Sequence, residues 1–94
     1  MPHWVLRPDA DDVARVYPGA ALRRGVSGQA VMLCKVTADG SMSDCKLLSE
    51  QPAGMGFGEA ALNLAPDFKM STTKSDGSSI AGATVRIPMR FTAP

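Results

Sequence analysis

The sequence predicts an α+β domain, a three-stranded antiparallel sheet with two or three short helices packed on one face in the order α-β-β-α-β. Three observations lead there. Ala30, Met32, Cys34 and Val36 alternate with Val31, Leu33, Lys35 and Thr37, the period of a half-buried strand, and Asp39-Gly40 follows as a hairpin turn signal. Phe57, Ala61, Leu64 and Phe68 then recur at i, i+4, i+7 and i+11, the spacing of one helix face. Finally Val85, Ile87, Met89 and Phe91 alternate with Thr84, Arg86, Pro88 and Arg90, and the chain returns to period two.

The elements follow in order. Residues 1–8 hold two prolines and Trp4 and read as an extended arm ahead of a single domain over 9–94. Asp9 suits the N-cap of a short helix through Val16, with Asp11 and Asp12 favoured in the first turn by the helix dipole. Pro18 fits the first position of a second helix over 18–24, closed by Gly25. Neither helix is long enough to stand alone, so both must lean on the sheet. The hairpin is expected over 28–49. A two-residue turn at 39 and 40 pairs positions that sum to 79, setting Met32 against Leu47 and Cys34 against Cys45. A three-residue loop, 38–40, with a bulge gives a sum of 78 and turns Asp44 and Lys46 onto the face of Cys34 and Met32. The first register makes the better apolar match, though Met42 then needs a local bulge to reach the core. Residues 50–56 form a loop, a helix runs over 57–65 until Pro66 stops or kinks it, and 71–82 is a polar, Gly/Ser-rich loop. Pro88 has no N–H for a ladder and so marks the last strand, Thr84 to Phe91, as an edge. An exposed edge invites another chain to pair with it.

Bulk properties exclude several classes of function. A chain of 94 residues buries only about 60–65% of its unfolded surface, enough for one two-layer core. Ten basic and nine acidic residues give a net charge of +1 with no basic run beyond Arg23-Arg24, which argues against nucleic acid as a partner. The longest apolar run, 30–34, is far short of a membrane span, and the first residues lack a signal-peptide pattern. The expectation is a soluble domain whose targeting segment is removed or lies upstream in a longer protein. His3 is the only histidine, which disfavours catalytic triads, and two cysteines eleven positions apart match no familiar zinc spacing, so neither a metal nor a cofactor is expected. The Asp9, Asp11, Asp12 group reads as a capped helix start, and Gly54, Gly56 and Gly58 as loop and helix entry rather than a phosphate cradle. No enzyme activity is expected. Cys34 and Cys45, opposed in the preferred register at about 5.5 Å between Cα atoms, are expected to form a structural disulfide, implying an oxidising compartment. Two buried thiols and a redox-active couple are the alternatives.

The pattern from Val16 to Phe91 resembles the TonB C-terminal domain family. Tyr17-Pro18-x-x-Ala21, Gly25-x-x-Gly28 with the following strand and Asp39-Gly40, Phe57-Gly58-Glu59-Ala60-Ala61-Leu62, and Ile87-Pro88-Met89-Arg90-Phe91 are similar to its motifs in order and spacing. The cysteine pair departs from the general pattern and looks like a variant seen in some alphaproteobacterial members, alongside Gly56-Phe57-Gly58. The resemblance implies a periplasmic domain, tethered to the inner membrane in the full protein, that captures the Ton box of outer-membrane transporters by strand addition. It implies coupling to the ExbB–ExbD proton-driven motor through an anchor and Pro-rich spacer outside this sequence, and a homodimer of the isolated domain as a further partner. The expected peptide-binding strand is Thr84, Val85, Arg86, Ile87, Pro88, Met89, Arg90 and Phe91, with Tyr17, Pro18, Gln51 and Pro52 as accessory contacts. Plainer readings stand beside these: Arg86 and Arg90 as solubilising edge charges, and Phe57, Phe68, Val85, Ile87, Met89 and Phe91 as core. The competing functions are an envelope scaffolding module not coupled to the motor and a small thiol–disulfide protein.

Overall fold

The structure, a computed structural model, describes residues 4–94, so His3 lies outside the described residues. Strand β1 (Trp4–Leu6) leads into helices α1 (Ala10–Val16) and α2 (Gly19–Arg23). The hairpin β2 (Gly28–Val36) and β3 (Met42–Gln51) follows, then α3 (Phe57–Asn63), a 3-10 turn (Ala65–Asp67), β4 (Lys69–Met70) and β5 (Thr84–Phe91). The main sheet is antiparallel in the order β3-β2-β5, and β1 pairs with β4 in a separate two-stranded ribbon. The expected α+β architecture is present, with that ribbon added.

Local chemistry sets the helix ends. The Asp9 carboxylate accepts from the Asp12 N–H at 2.8 Å, and the Asp12 carboxylate accepts from the Asp9 N–H at 3.0 Å, closing a capping box around the start of α1. The Asp9 N–H first, and then the Arg15 guanidinium, hold the Asp12 carboxyl below the ordinary aspartate value. Pro18 sits at the N-cap of α2 rather than inside it, and Gly25 ends the helix at φ +66°. At α3 the N-cap is Gly56, which has no side chain to offer. Glu50 supplies the missing acceptor from β3, taking the Gly58 N–H at 2.6 Å. The helix ends at Asn63, two residues before the sequence suggests, because Pro66 is taken up by the 3-10 turn. Arg15 bridges Asp12 at 3.1 Å and Asp67 at 3.4 Å, linking α1 to that turn.

The hairpin corrects the expected register. Gly40 donates to the Thr37 carbonyl at 3.0 Å and Thr37 to the Ser41 carbonyl at 2.9 Å, so the loop is the three-residue 38–40 form with Gly40 at φ +89°. Lys35↔Ser43 and Val36↔Met42 therefore sum to 78. Asp44, at φ +49°, is a bulge that moves the register to 79 at Met32↔Leu47 and Leu33↔Lys46. A second irregularity between Val31 and Met32 moves it to 80 beyond. The bulge lets Met42 reach the core and still brings Cys34 to Cys45. Leu47, expected inward, is on the helix side but at its margin, 38% exposed.

Helices cover one face only. Ala30, Met32 and Cys34 of β2 and Ile87 and Phe91 of β5 are buried in one cluster with Phe57, Ala60, Ala61 and Leu64, and Val36 is buried at the end of β2. Phe57 and Phe91 stack at 5.4 Å between ring centroids, and Tyr17 meets both edge-on at 5.7 and 6.0 Å. Gly28 makes this possible, because a Cβ there would overlap the Phe57 ring and approach the Gln51 carbonyl oxygen at 2.7 Å. In the segment read as an arm, β1 lies against β4, and Trp4 packs on Phe68 at 5.1 Å.

Candidate functional site

The main sheet has two outer strands, and they differ. Along β3 the pairing shifts twice, and such bulges blunt an edge as a template for another strand. β5 pairs with β2 without a break from Gly28↔Phe91 to Lys35↔Thr84. The regular open edge is β5, the strand that carries Pro88.

Hydrogen-bond alternation fixes where the β5 backbone points. Val36 donates to the Ala83 carbonyl at 2.9 Å and its own carbonyl accepts from Gly82 at 2.7 Å. By alternation Cys34, Met32, Ala30 and Gly28 also bond toward β5, so Val85, Ile87, Met89 and Phe91 face β2. Thr84, Arg86, Pro88 and Arg90 therefore turn their backbone groups to the free edge. Pro88 costs the domain no internal ladder bond, because its missing N–H would have faced outward. The side chains split the same way: Ile87 and Phe91 are buried and Val85 and Met89 half-buried on the helix side, while Thr84, Arg86, Pro88 and Arg90 are exposed on the open face.

The same alternation explains the cysteines. Cys34 bonds toward β5, so it meets β3 at a non-hydrogen-bonded site, where strands approach more closely than at the bonded site the sequence suggests. The Cys34 and Cys45 Cα atoms are 4.1 Å apart and the sulfurs are joined at 2.07 Å. Cys34 is fully buried. Beside the bridge the open face carries Lys35 and Lys46 with Asp44.

The four accessory residues fall in two places. Gln51 and Pro52 line a shallow groove with Gln29, Arg90 and Phe91 at the end of the sheet, where Gln51↔Gln29 and Gln29↔Arg90 continue across the strands. Tyr17 and Pro18 lie on the helix side. The Tyr17 hydroxyl donates to the Val26 carbonyl at 2.6 Å while its ring supports Phe91, and Pro18 rests against Gly56. A wider concavity beside the start of β5 was not legible in the sequence. It is lined by Trp4, Val5, Met70, Ile80 and Val85, with Lys74 at its rim. No group of three His, Cys, Asp or Glu side chains is placed to hold a metal ion among the described residues. No helix among them is long and apolar enough to cross a membrane.

An antiparallel three-stranded sheet with helices on one face is the fold of one family. The model of the Gram-negative bacterial TonB protein C-terminal matches residues 13–93. The chain belongs to the TonB C-terminal family. It is 33% identical over 62 residues to an uncharacterized protein of Caulobacter vibrioides, covering 66% of this chain and 62% of that protein. It is 29% identical over 75 residues to the protein TonB of Xanthomonas campestris pv. campestris, covering 80% of this chain and 33% of that protein. The chain thus spans about a third of that TonB. Among solved structures, the Pseudomonas aeruginosa TonB C-terminal domain superposes with a TM-score of 0.63 at 25% identity, covering 81% of this chain and 75% of that one. The TonB2 protein of Vibrio anguillarum shares the fold, with a TM-score of 0.61 at 24% identity, covering 83% and 73%.

Proposed function

We propose that this TonB-like domain captures a short extended peptide, the Ton box of an outer-membrane transporter, as a fourth strand on β5. It acts by binding and not by catalysis. The observation that carries the reading is the unbroken β5 edge, whose Thr84, Arg86 and Arg90 N–H groups and Thr84, Arg86, Pro88 and Arg90 carbonyls face outward. Strand addition gives affinity through backbone bonds and leaves selectivity to alternate side chains. Tyr17 and Pro18 hold Phe91 and the loop near Gly56 from behind, while Gln51 and Pro52 line the groove at the end of the sheet on the β3 side, two strands from the free edge.

In this reading the domain works in the periplasm, where the Cys34–Cys45 bridge persists, tethered to the inner membrane through a preceding segment of a longer protein. Pull from an ExbB–ExbD motor reaches the transporter through the bound peptide. Load applied along a paired strand is shared by the ladder bonds together, which suits a pulling contact. Family membership supports this assignment, and the edge geometry supports β5 as its contact. Labelled domain titrated with the N-terminal peptide of a transporter tests it: shifts concentrated in Thr84–Phe91 are expected, and a peptide that leaves those amides unmoved overturns the reading.

A further inference from the structure

The open face next to β5 is cationic, although the chain as a whole is nearly neutral. Arg86 and Arg90 are exposed two residues either side of Pro88. Across the sheet, Lys46, Leu33 and Arg86 form one row, and Lys35 stands opposite Thr84. From β3 the acidic groups are Asp44 and Glu50, and Glu50 is turned away to cap α3, leaving Asp44 among four cations. The ion pairs among the described residues belong to Arg15, so no carboxylate within that range occupies Arg86 or Arg90.

From this we infer that the strand received by β5 is an acidic one, with carboxylates four residues apart facing Arg86 and Arg90; the inference rests on the strand-addition reading above. Since Arg86, Pro88 and Arg90 turn their backbone to the free edge, the guest residues opposite them lie at hydrogen-bonded sites with side chains on the open face. The two intervening guest residues fall on the helix side, beside the buried Ile87 and the half-buried Met89, and are apolar. The residue opposite Pro88 lacks one donor and needs no particular side chain. The preferred pattern is therefore acidic, apolar, any, apolar, acidic. It reads the same in both directions and so holds for parallel or antiparallel pairing. The same cations disfavour a second copy on this edge, because antiparallel pairing centred on Pro88 sets Arg86 of each copy against Arg90 of the other.

The test measures binding of three fluorescent peptides in identical Gly-Ser flanks, with cores Glu-Val-Ser-Val-Glu, Gln-Val-Ser-Val-Gln and Lys-Val-Ser-Val-Lys. Opposed surface charges are expected to contribute about three-fold per glutamate, so about ten-fold for the pair over the glutamine peptide. This advantage collapses near 1 M salt, where the Debye length is about 3 Å. Moving the second glutamate one position on sends it to the helix side and forfeits its share. Arg86→Gln/Arg90→Gln is expected to abolish the preference, and Arg86→Glu/Arg90→Glu to transfer it to the lysine peptide, with amide dispersion confirming that both variants fold. Equal affinity for the acidic and glutamine peptides overturns the inference and leaves strand addition standing. An acidic preference that survives the charge reversal also overturns it. Binding of none of the three overturns both.

Discussion

Reducing the Cys34–Cys45 bridge removes one cross-link and changes the composition only by two thiol hydrogens. The two cysteines are 11 positions apart. Closing a loop of that length removes about 9 cal/mol/K of entropy from the unfolded chain, or about 2.8 kcal/mol at 25 °C. A domain of this size gains about 0.2 kcal/mol/K of entropy on unfolding, so the bridge is expected to raise the Tm by roughly 14 °C. The measurement is a pair of thermal melts, oxidised and reduced, at a pH where free thiols do not reoxidise. Reduction is cleaner than a serine variant, because a hydroxyl at the fully buried Cys34 site adds a desolvation cost of its own. Cys34→Ala/Cys45→Ala, whose Tm must not respond to reductant, controls for effects of the reductant elsewhere. If the two melts coincide within about 3 °C, the bridge does not restrain the unfolded chain as supposed, and the bulge at Asp44 holds the hairpin unaided.

Three further perturbations follow from single contacts. Gly28→Ala forces a methyl into the Phe57 ring and is expected to cost about 1–3 kcal/mol in urea unfolding, whereas Gly25→Ala, with open space around it, pays only for its positive φ. Glu50→Ala leaves the α3 N-terminus without its acceptor, with an expected loss of about 1 kcal/mol in the same assay. Asp39, hydrogen-bonded first by the Thr37 hydroxyl and then by Ser41, has its carboxyl lowered to about 2 from 3.8. A depressed folded value contributes stability above the unfolded value and loses it as pH falls from about 4 toward 2. Carboxyl NMR titration of Asp39 is expected to show the midpoint near 2 and to move upward in Thr37→Val.

The pattern of apolar residues carried most of the fold. Period two over β2 and β5 and helical spacing from Phe57 to Phe68 placed the core, because burial on one face leaves that signature in every element long enough to repeat it. Pro88 told more than a strand's existence, since a residue without an N–H constrains its neighbours. The ribbon of β1 and β4 left no such trace: Lys69–Met70 is too short to show a period, and its partner is some sixty residues distant in the sequence. The hairpin register was half legible. Apolar matching found Met32 with Leu47, but Asp44 absorbed a residue at left-handed φ, and one aspartate among loop-like neighbours does not announce a bulge. Glu50 looked like a loop residue because its role depends on a helix that begins seven residues later. The candidate site was legible as an edge. Its charge was not, because cations scattered over three strands gather only once the sheet is paired.

The central claim is that β5 receives a guest strand, and amide hydrogen exchange with and without a transporter N-terminal peptide tests it most directly. Arg86 and Arg90 N–H groups, free at the edge, are expected to exchange quickly alone and to become protected together on binding, while Ile87 and Met89, already bonded to β2, change little. Unchanged exchange at Arg86 and Arg90 in a saturated complex, or protection appearing along β3 instead, contradicts strand addition at this edge.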